Sequence, residues 1–361
     1  MLTPRQTASQ GINGHLSNAH GHRSTTATSA TRPDGQLRLP KELLIRLTDQ
    51  CQVPPATLPF LHQVLELYAE RTPGLHTVVE GVMRPGYMGL TPGETLGHDH
   101  FAFRTFGVPG LGISSLERIL LPLGYQRVED PGAPLTFPAK KLVATWFMAK
   151  DPRVRAVLPR VFVSEIQVEK LSPAAREIIL GTTGWAAGAG EAVQVQVLTA
   201  LLTGTAPWPR PTLEQYELLL KESEYAAWVL AHGYSLNHTA LALHRLPGVG
   251  PSLDMDGFVR QLSGAGMAMN AEGGLVKVSP DGLLLQCSVV ADRRPFEFSC
   301  GQQQDIAAAY VEFVKRLRLP RFAHLKDEEL REEHLRDGFE VGNADRIFES
   351  TTLAATGAGS K

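Results

Sequence analysis

The chain is poor in cysteine: Cys51, Cys287 and Cys300 are the three present, and no two of them form a CxxC pair. That excludes a zinc ribbon and a disulfide-stapled fold, and it suits a reducing compartment. An excess of charge is missing too. Lys and Arg number 35 against 37 Asp and Glu, for a net charge of −2, so neither nucleic acid nor an anionic membrane surface is indicated as a partner. No apolar run reaches the roughly 20 residues of a membrane-spanning helix. Acidic residues are absent from the first 33 positions, which carry Arg5, Arg23 and Arg32 among Ser, Thr, Ala, Gly and Asn. Such a stretch buries too little to order itself. It reads as an organelle transit peptide or as an untargeted tail, with His15, His20 and His22 as tail composition rather than metal ligands.

What is present is ordinary globular material: 361 residues, 43% hydrophobic and 20% charged, enough to bury a large core. Within it one pattern occurs twice. "HFAFRTFGVPGLG" starts at His100 and "HTALALHRLPGVG" at His238. After each His come Ala (Ala102, Ala240), a large apolar residue (Phe103, Leu241), Pro-Gly (Pro109-Gly110, Pro247-Gly248) and a second Gly (Gly112, Gly250), in the same register without a gap. Internal repeats bear on architecture before anything else does.

The flanking segments repeat in kind. Helical spacing of Leu43, Leu44 and Leu47, then Leu61, Val64, Leu65 and Tyr68, predicts two helices broken at Pro54-Pro55. "SSLERILLPLGY" predicts a helix opened by a capping box from Ser114 to Glu117, and "KLVATWFMA" and "RVFVSEIQVE" predict strands. Ser172-Pro173 looks like an N-cap with Pro in the first turn, starting a helical insert that runs to about His232. Beyond the second His segment, "SLDMDGFVRQLSGAG" predicts a helix, and "GGLVKVSPDGLLLQCSVVA" a hairpin turning at Pro280-Asp281-Gly282. Strand, helix and further strands therefore occur twice, an α+β chain of two related modules with a helical insertion between them.

With "HFAFRTF" as a strand, His100, Ala102, Arg104 and Phe106 share one face. Buried polar groups need partners, so that face suits a site. If the modules pack about a pseudo-twofold axis, His100 and His238 converge, and two imidazoles plus a carboxylate make the facial triad typical of non-haem Fe(II). His98 lies on the same expected face and is a rival to His100, which is the one in register with His238. For the carboxylate, Glu312, Glu165 and Glu297 are all open: "AAAYVEFVKRL" makes Glu312 an acid on an apolar strand, but its spacing slightly favours a helix with Glu312 outside the stripe.

Taken together, "DHFAFRTFG", "RVFVSEIQVEKLS", "GYSLNHTAL", "YVEFVKR" and "RDGFEVGNADRIFEST" resemble the 2-oxoadipate dioxygenase/decarboxylase family over roughly residues 40–353. The resemblance implies the vicinal oxygen chelate superfamily, related to 4-hydroxyphenylpyruvate dioxygenase and hydroxymandelate synthase: two βαβββ modules forming a curved central sheet, here with a helical N-terminal segment and a helical insertion. It implies Fe(II) held by His100, His238 and Glu312, and Arg104 as the catalytic, substrate-binding arginine. The partners it implies are a 2-oxo dicarboxylic acid and O2, with 2-oxoadipate expected to go to 2-hydroxyglutarate and CO2 in lysine breakdown. "FEVGNADRIF" reads as a closing segment with Asn343 and Arg346 on the distal carboxylate, or as a cap that only packs. Glu165 reads as a partner orienting a ligand or as a structural salt-bridge partner.

The expected organisation is a tail over residues 1–36, a catalytic domain over 37–353 and a short tail over 354–361. In the domain, module one covers about 95–170, the helical insertion 171–232, module two 233–320 and the closing segment 321–353. The location is the plastid if the first tail is a transit peptide, and the cytoplasm otherwise. Two further functions remain open: a metal-dependent isomerase or lyase on the same scaffold, using Zn or Ni, and a plastid partner-binding protein with a vestigial metal site.

Overall fold

The structure, a computed structural model, describes residues 37–47, 51–82, 95–129, 134–246, 250 and 252–352. The expected tails over 1–36 and 354–361, and Pro247-Gly248 of the second repeat, lie outside the described residues. After Pro54-Pro55 the chain enters α1 (Thr57–Arg71), then α2 (Gly74–Val82). Phe60, Leu61, Val64, Leu65 and Tyr68 of α1 are buried at the helical spacing the sequence carries.

Two modules of like order follow. The first is β1 (His98–Gly107), α3 (Ile113–Leu120), β2 (Tyr125–Arg127), β3 (Leu135–Phe137), β4 (Leu142–Ala149) and β5 (Arg160–Gln167). Four helices are inserted next: α4 (Pro173–Thr183), α5 (Glu191–Thr203), α6 (Leu213–Glu222) and α7 (Glu224–His232). Ser172 caps α4 by accepting from the Ala175 N–H, with Pro173 in the first turn. The second module is β6 (Leu236–Ala242), α8 (Met255–Gly264), β7 (Lys277–Val278), β8 (Leu284–Ser288) and β11 (Tyr310–Arg316), interrupted by a hairpin of β9 (Arg293–Glu297) and β10 (Gln303–Ala307). The chain then runs to α9 (Val341–Ile347).

The main sheet has nine strands in the order β2-β4-β5-β1-β6-β11-β8-β7, with β3 beside β4. In each half the first strand runs parallel to the last (β1 with β5, β6 with β11), and the other pairings are antiparallel. The halves meet where β1 pairs antiparallel with β6, so the two histidine strands lie side by side at the centre.

Two local expectations are corrected. Tyr310–Arg316 is a strand, not a helix. It is paired on both edges and all seven residues are buried, so no polar–apolar alternation marks it. The capping box from Ser114 to Glu117 does not form. Helix α3 starts after Gly112, whose φ of 72° favours glycine. The Ser114 hydroxyl donates to the Leu111 carbonyl, and the carboxylate that receives the Ile113 N–H, at 2.8 Å, is Glu165 from β5.

Candidate metal centre

Three adjacent central strands carry the three side chains. Glu312 of β11 and His100 of β1 both stand opposite Ala240 of β6, one on each side, and His238 of β6 stands opposite Ala102. The side chains meet on one face. Glu312 Oε2 lies 3.3 Å from His100 Nε2 and 3.1 Å from His238 Nε2. All three are buried, and the three donor atoms lie within 4.8 Å of one another.

The far side of each ligand is also engaged. His100 Nδ1 lies 2.9 Å from Asp99 Oδ1, and His238 Nδ1 lies 2.9 Å from Asn237 Oδ1. Gln286 donates to Glu312 Oε1 at 2.7 Å and accepts from Asn343 Nδ2 at 2.9 Å. With each Nδ1–H given to an oxygen, both Nε2 lone pairs face a carboxylate oxygen. Three buried acceptors pointing at one another need a metal cation or a shared proton between them. Without a metal the protonation equilibria divide accordingly. Burial pulls His238 down to about 4. Burial also disfavours the charged form of His100, but Glu312 and Asp99 outweigh it and raise that ring's pKa. Burial would raise Glu312, and His100 and then His238 draw it down to about 2. The donor set, two imidazoles and a carboxylate with nothing soft, fits a divalent first-row ion.

Aromatic side chains enclose the centre. The Phe339 ring meets His100 at 4.9 Å, Phe162 meets Phe339 at 4.9 Å, and Tyr310 stacks on His238 at 4.4 Å. Phe339, Ile347 and Phe348 from the C-terminal segment wall a cavity of about 20 Å³ beside the triad, room for about one water. Larger clefts, of about 790 and 720 Å³, lie beyond Arg160 and Arg316 and include none of the triad. Register also identifies what stands in the first module where Glu312 stands in the second. His238 pairs with Tyr310 and His100 with Arg160, so the counterpart of Glu312 is Phe162. One carboxylate therefore serves both histidines.

The other expected site residues lie as follows. Arg104 is buried on β1; its guanidinium donates to both Glu224 oxygens at 3.3 and 3.2 Å, to Thr351 Oγ1 at 2.9 Å and to the Phe348 carbonyl at 3.3 Å. Its Nε finds no acceptor among the described residues. Asn343 reaches the centre through Gln286. Arg346 is not brought there: it is exposed on α9, close to Gly273. His98 is turned away, its ring nitrogens 2.7 Å from Thr239 Oγ1 and 2.8 Å from the Leu43 carbonyl. A register break between His98 and His100 separates the two rings, which simple alternation would put on one face. Glu165 caps α3, and Glu297 is exposed with Arg210 at 2.9 Å. Sequence reasoning missed Asp99, Asn237, Gln286 and Arg316. The signal available for the first two was an Asp or Asn directly before each repeated His.

A model of the 2-oxoadipate dioxygenase/decarboxylase family matches residues 60–328. The chain is 42% identical over 296 residues to the 2-oxoadipate dioxygenase/decarboxylase, chloroplastic/amyloplastic, of Oryza sativa subsp. japonica, a match covering 80% of this chain and 76% of that protein. It is 40% identical over 299 residues to the chloroplastic 2-oxoadipate dioxygenase/decarboxylase of Arabidopsis thaliana, covering 81% and 76%. The crystal structure of the hydroxyglutarate synthase from Oryza sativa in complex with 2-oxoadipate is similar with a TM-score of 0.74 at 40% identity, covering 83% of this chain and 93% of that one.

Proposed function

The chain belongs to the 2-oxoadipate dioxygenase/decarboxylase family, and we propose that it converts 2-oxoadipate and O2 to 2-hydroxyglutarate and CO2 with Fe(II) held by His100, His238 and Glu312. The observation that carries this reading is the buried meeting of those three side chains, with every outer face already hydrogen-bonded. Fe(II) bound there supplies a position where the oxo acid and O2 meet, the electrons coming from loss of the substrate's own carboxylate.

The chain's own residues do the rest. Asp99 and Asn237 hold each ring proton on Nδ1, leaving Nε2 free as a donor atom. Arg104 lies on the same strand as His100 and is suited to hold a substrate carboxylate with its planar fork. Glu224 and Thr351 fix the orientation of that fork. Asn343 acts through Gln286, keeping Glu312 in place. Phe339, Ile347 and Phe348 exclude water. Because the space beside the triad takes about one water, the oxo acid enters by displacing this wall.

The curated relatives are named chloroplastic or amyloplastic, which supports a plastid location for this chain. A reporter fused behind residues 1–36 that stayed in the cytosol would count against that location. On this reading the reaction belongs to lysine breakdown, as the family resemblance implies.

The deciding experiment is oxygen uptake by anaerobically Fe(II)-loaded protein given 2-oxoadipate, beside a His238→Ala control. Uptake matched by CO2 and 2-hydroxyglutarate, and absent in the control, is the expected result. Stoichiometric iron binding without uptake would overturn the assignment.

A further inference from the structure

The repeat that aligns His100 with His238 also aligns the residues before them, Asp99 and Asn237. Each sits at a break in the β1–β6 register. His98 and His100 pair with the consecutive residues Leu241 and Ala240, leaving Asp99 unpaired; Ala102 and Phe103 pair with His238 and Leu236, leaving Asn237 unpaired. A bulge of this kind sets two residues of one strand against one of the other, which lets neighbouring side chains turn to the same side. Hence Asp99 Oδ1 and Asn237 Oδ1 each reach the Nδ1 of the following His at 2.9 Å.

The geometry is twofold and the chemistry is not. Asp99 is a carboxylate gripped by Arg316, which donates from Nε at 2.7 Å and Nη2 at 2.9 Å. Asn237 is neutral, and its Nδ2 finds no acceptor among the described residues. The register that equates Tyr310 with Arg160 puts Ile166 where Arg316 would have its counterpart, so the carboxylate–arginine pair that joins Asp99 of the first module to Arg316 of the second has no equivalent at Asn237. Arg316 has a second task. Its Nη1 donates to the carbonyls of Arg336 at 3.1 Å and Gly338 at 2.8 Å, just before Phe339, whose ring packs on His100.

We infer that Asp99 and Asn237 are paired positioning residues for the two histidines, and that the carboxylate behind one and the amide behind the other make His100 the stronger donor to the metal. The inference rests on reading the triad as a metal site. A carboxylate accepting the Nδ1–H increases the electron density at Nε2 more than a neutral amide does. Arg316 pairs with that carboxylate through two nitrogens and ties the stronger ligand to the segment that walls the cavity.

The test uses the full chain titrated with Co(II), reading both affinity and the visible d–d spectrum, which reports ligand strength and which a merely structural role would not move. Asp99→Ala and Asn237→Ala should each weaken Co(II) binding by about 10- to 100-fold, Asp99→Ala the more, and shift the bands. Asn237→Asp should bind more tightly than wild type, and it carries the test alone if Asp99→Ala fails to fold. Folded variants with wild-type affinity and spectrum would overturn the inference, and equal losses in Asp99→Ala and Asn237→Ala would overturn the inequality. A His100→Ala control separates the two readings: if it binds Co(II) as wild type does, the metal site itself is wrong and the inference falls with it. If His100→Ala loses Co(II) while the Asp99 and Asn237 variants match wild type, only the inference fails.

Discussion

Arg104 and Glu312 carry their charges in the interior, where each depends on named partners. Removing the fork of Arg104 while keeping its charge isolates its geometry. Arg104→Lys should raise KM for 2-oxoadipate by about 10- to 100-fold, the worth of a charge-assisted bidentate contact, and leave metal affinity unchanged. An unchanged KM would assign Arg104 to holding Glu224 and Thr351 alone. Glu312→Gln keeps the volume and removes the anion that faces both Nε2 atoms. Equilibrium dialysis should then find Fe(II) bound far more weakly, by at least about 100-fold, as expected when a ligand rather than its outer partner is lost. At this scale the two histidines were legible because the repeat put them in register. Glu312 was legible through family resemblance, while its own neighbourhood read as helix. Arg346 was expected at the substrate and lies exposed, because a short helix presents alternate sides and nothing in "GNADRIF" says which side faces inward.

At the scale of the element, α3 shows how a cap can come from a distant strand. Glu165 receives the Ile113 N–H and lies against Gly112, a role no local motif encodes. Glu165→Ala should lower stability by about 1 kcal/mol, the usual cost of a lost cap, with metal affinity intact. Thermal melts and a Co(II) titration check both halves; weakened metal binding would return Glu165 to the site. The C-terminal segment around α9 makes the opposite claim, that an element moves. Phe339, Ile347 and Phe348 leave room for about one water. Amide exchange over residues 339–348 of the metal-loaded protein should therefore slow when 2-oxoadipate is added, and unchanged exchange would mean that this wall is not the way in.

At the scale of the whole molecule, an ion network running from the buried Asp99 to the exposed Asp337 joins both modules to the C-terminal segment. Asp99 meets Arg316 and Arg160, Arg160 meets Asp337 and Glu332, and Glu332 meets Arg245. Burial would raise the Glu332 carboxyl, but Arg245 and Arg160 hold it down at about 2, against 4.5 for an unperturbed Glu. A depressed acid stabilises the fold above its unfolded pKa, and that contribution is lost as pH falls through the folded value. Metal-free protein should therefore lose stability between about pH 4.5 and 2, with Glu332 contributing at most about 3 kcal/mol. Denaturant melts across this range should be flatter for Glu332→Gln, and an equal slope would remove Glu332 from the account.

The sequence by itself determined the duplicated strand–helix–strand order, the inserted helices, the turn at Pro280–Gly282 and the equivalence of His100 and His238 in the repeat. These follow from periodicity, caps and a gapless repeat, all local properties of a chain. Only the tertiary structure decided that Tyr310–Arg316 is a strand, that Phe162 is the counterpart of Glu312, and that His98 turns away from His100. Those facts depend on which strands become neighbours and where a bulge shifts the register. A strand buried on both faces, and a bulge of one residue, leave no periodic trace in the sequence.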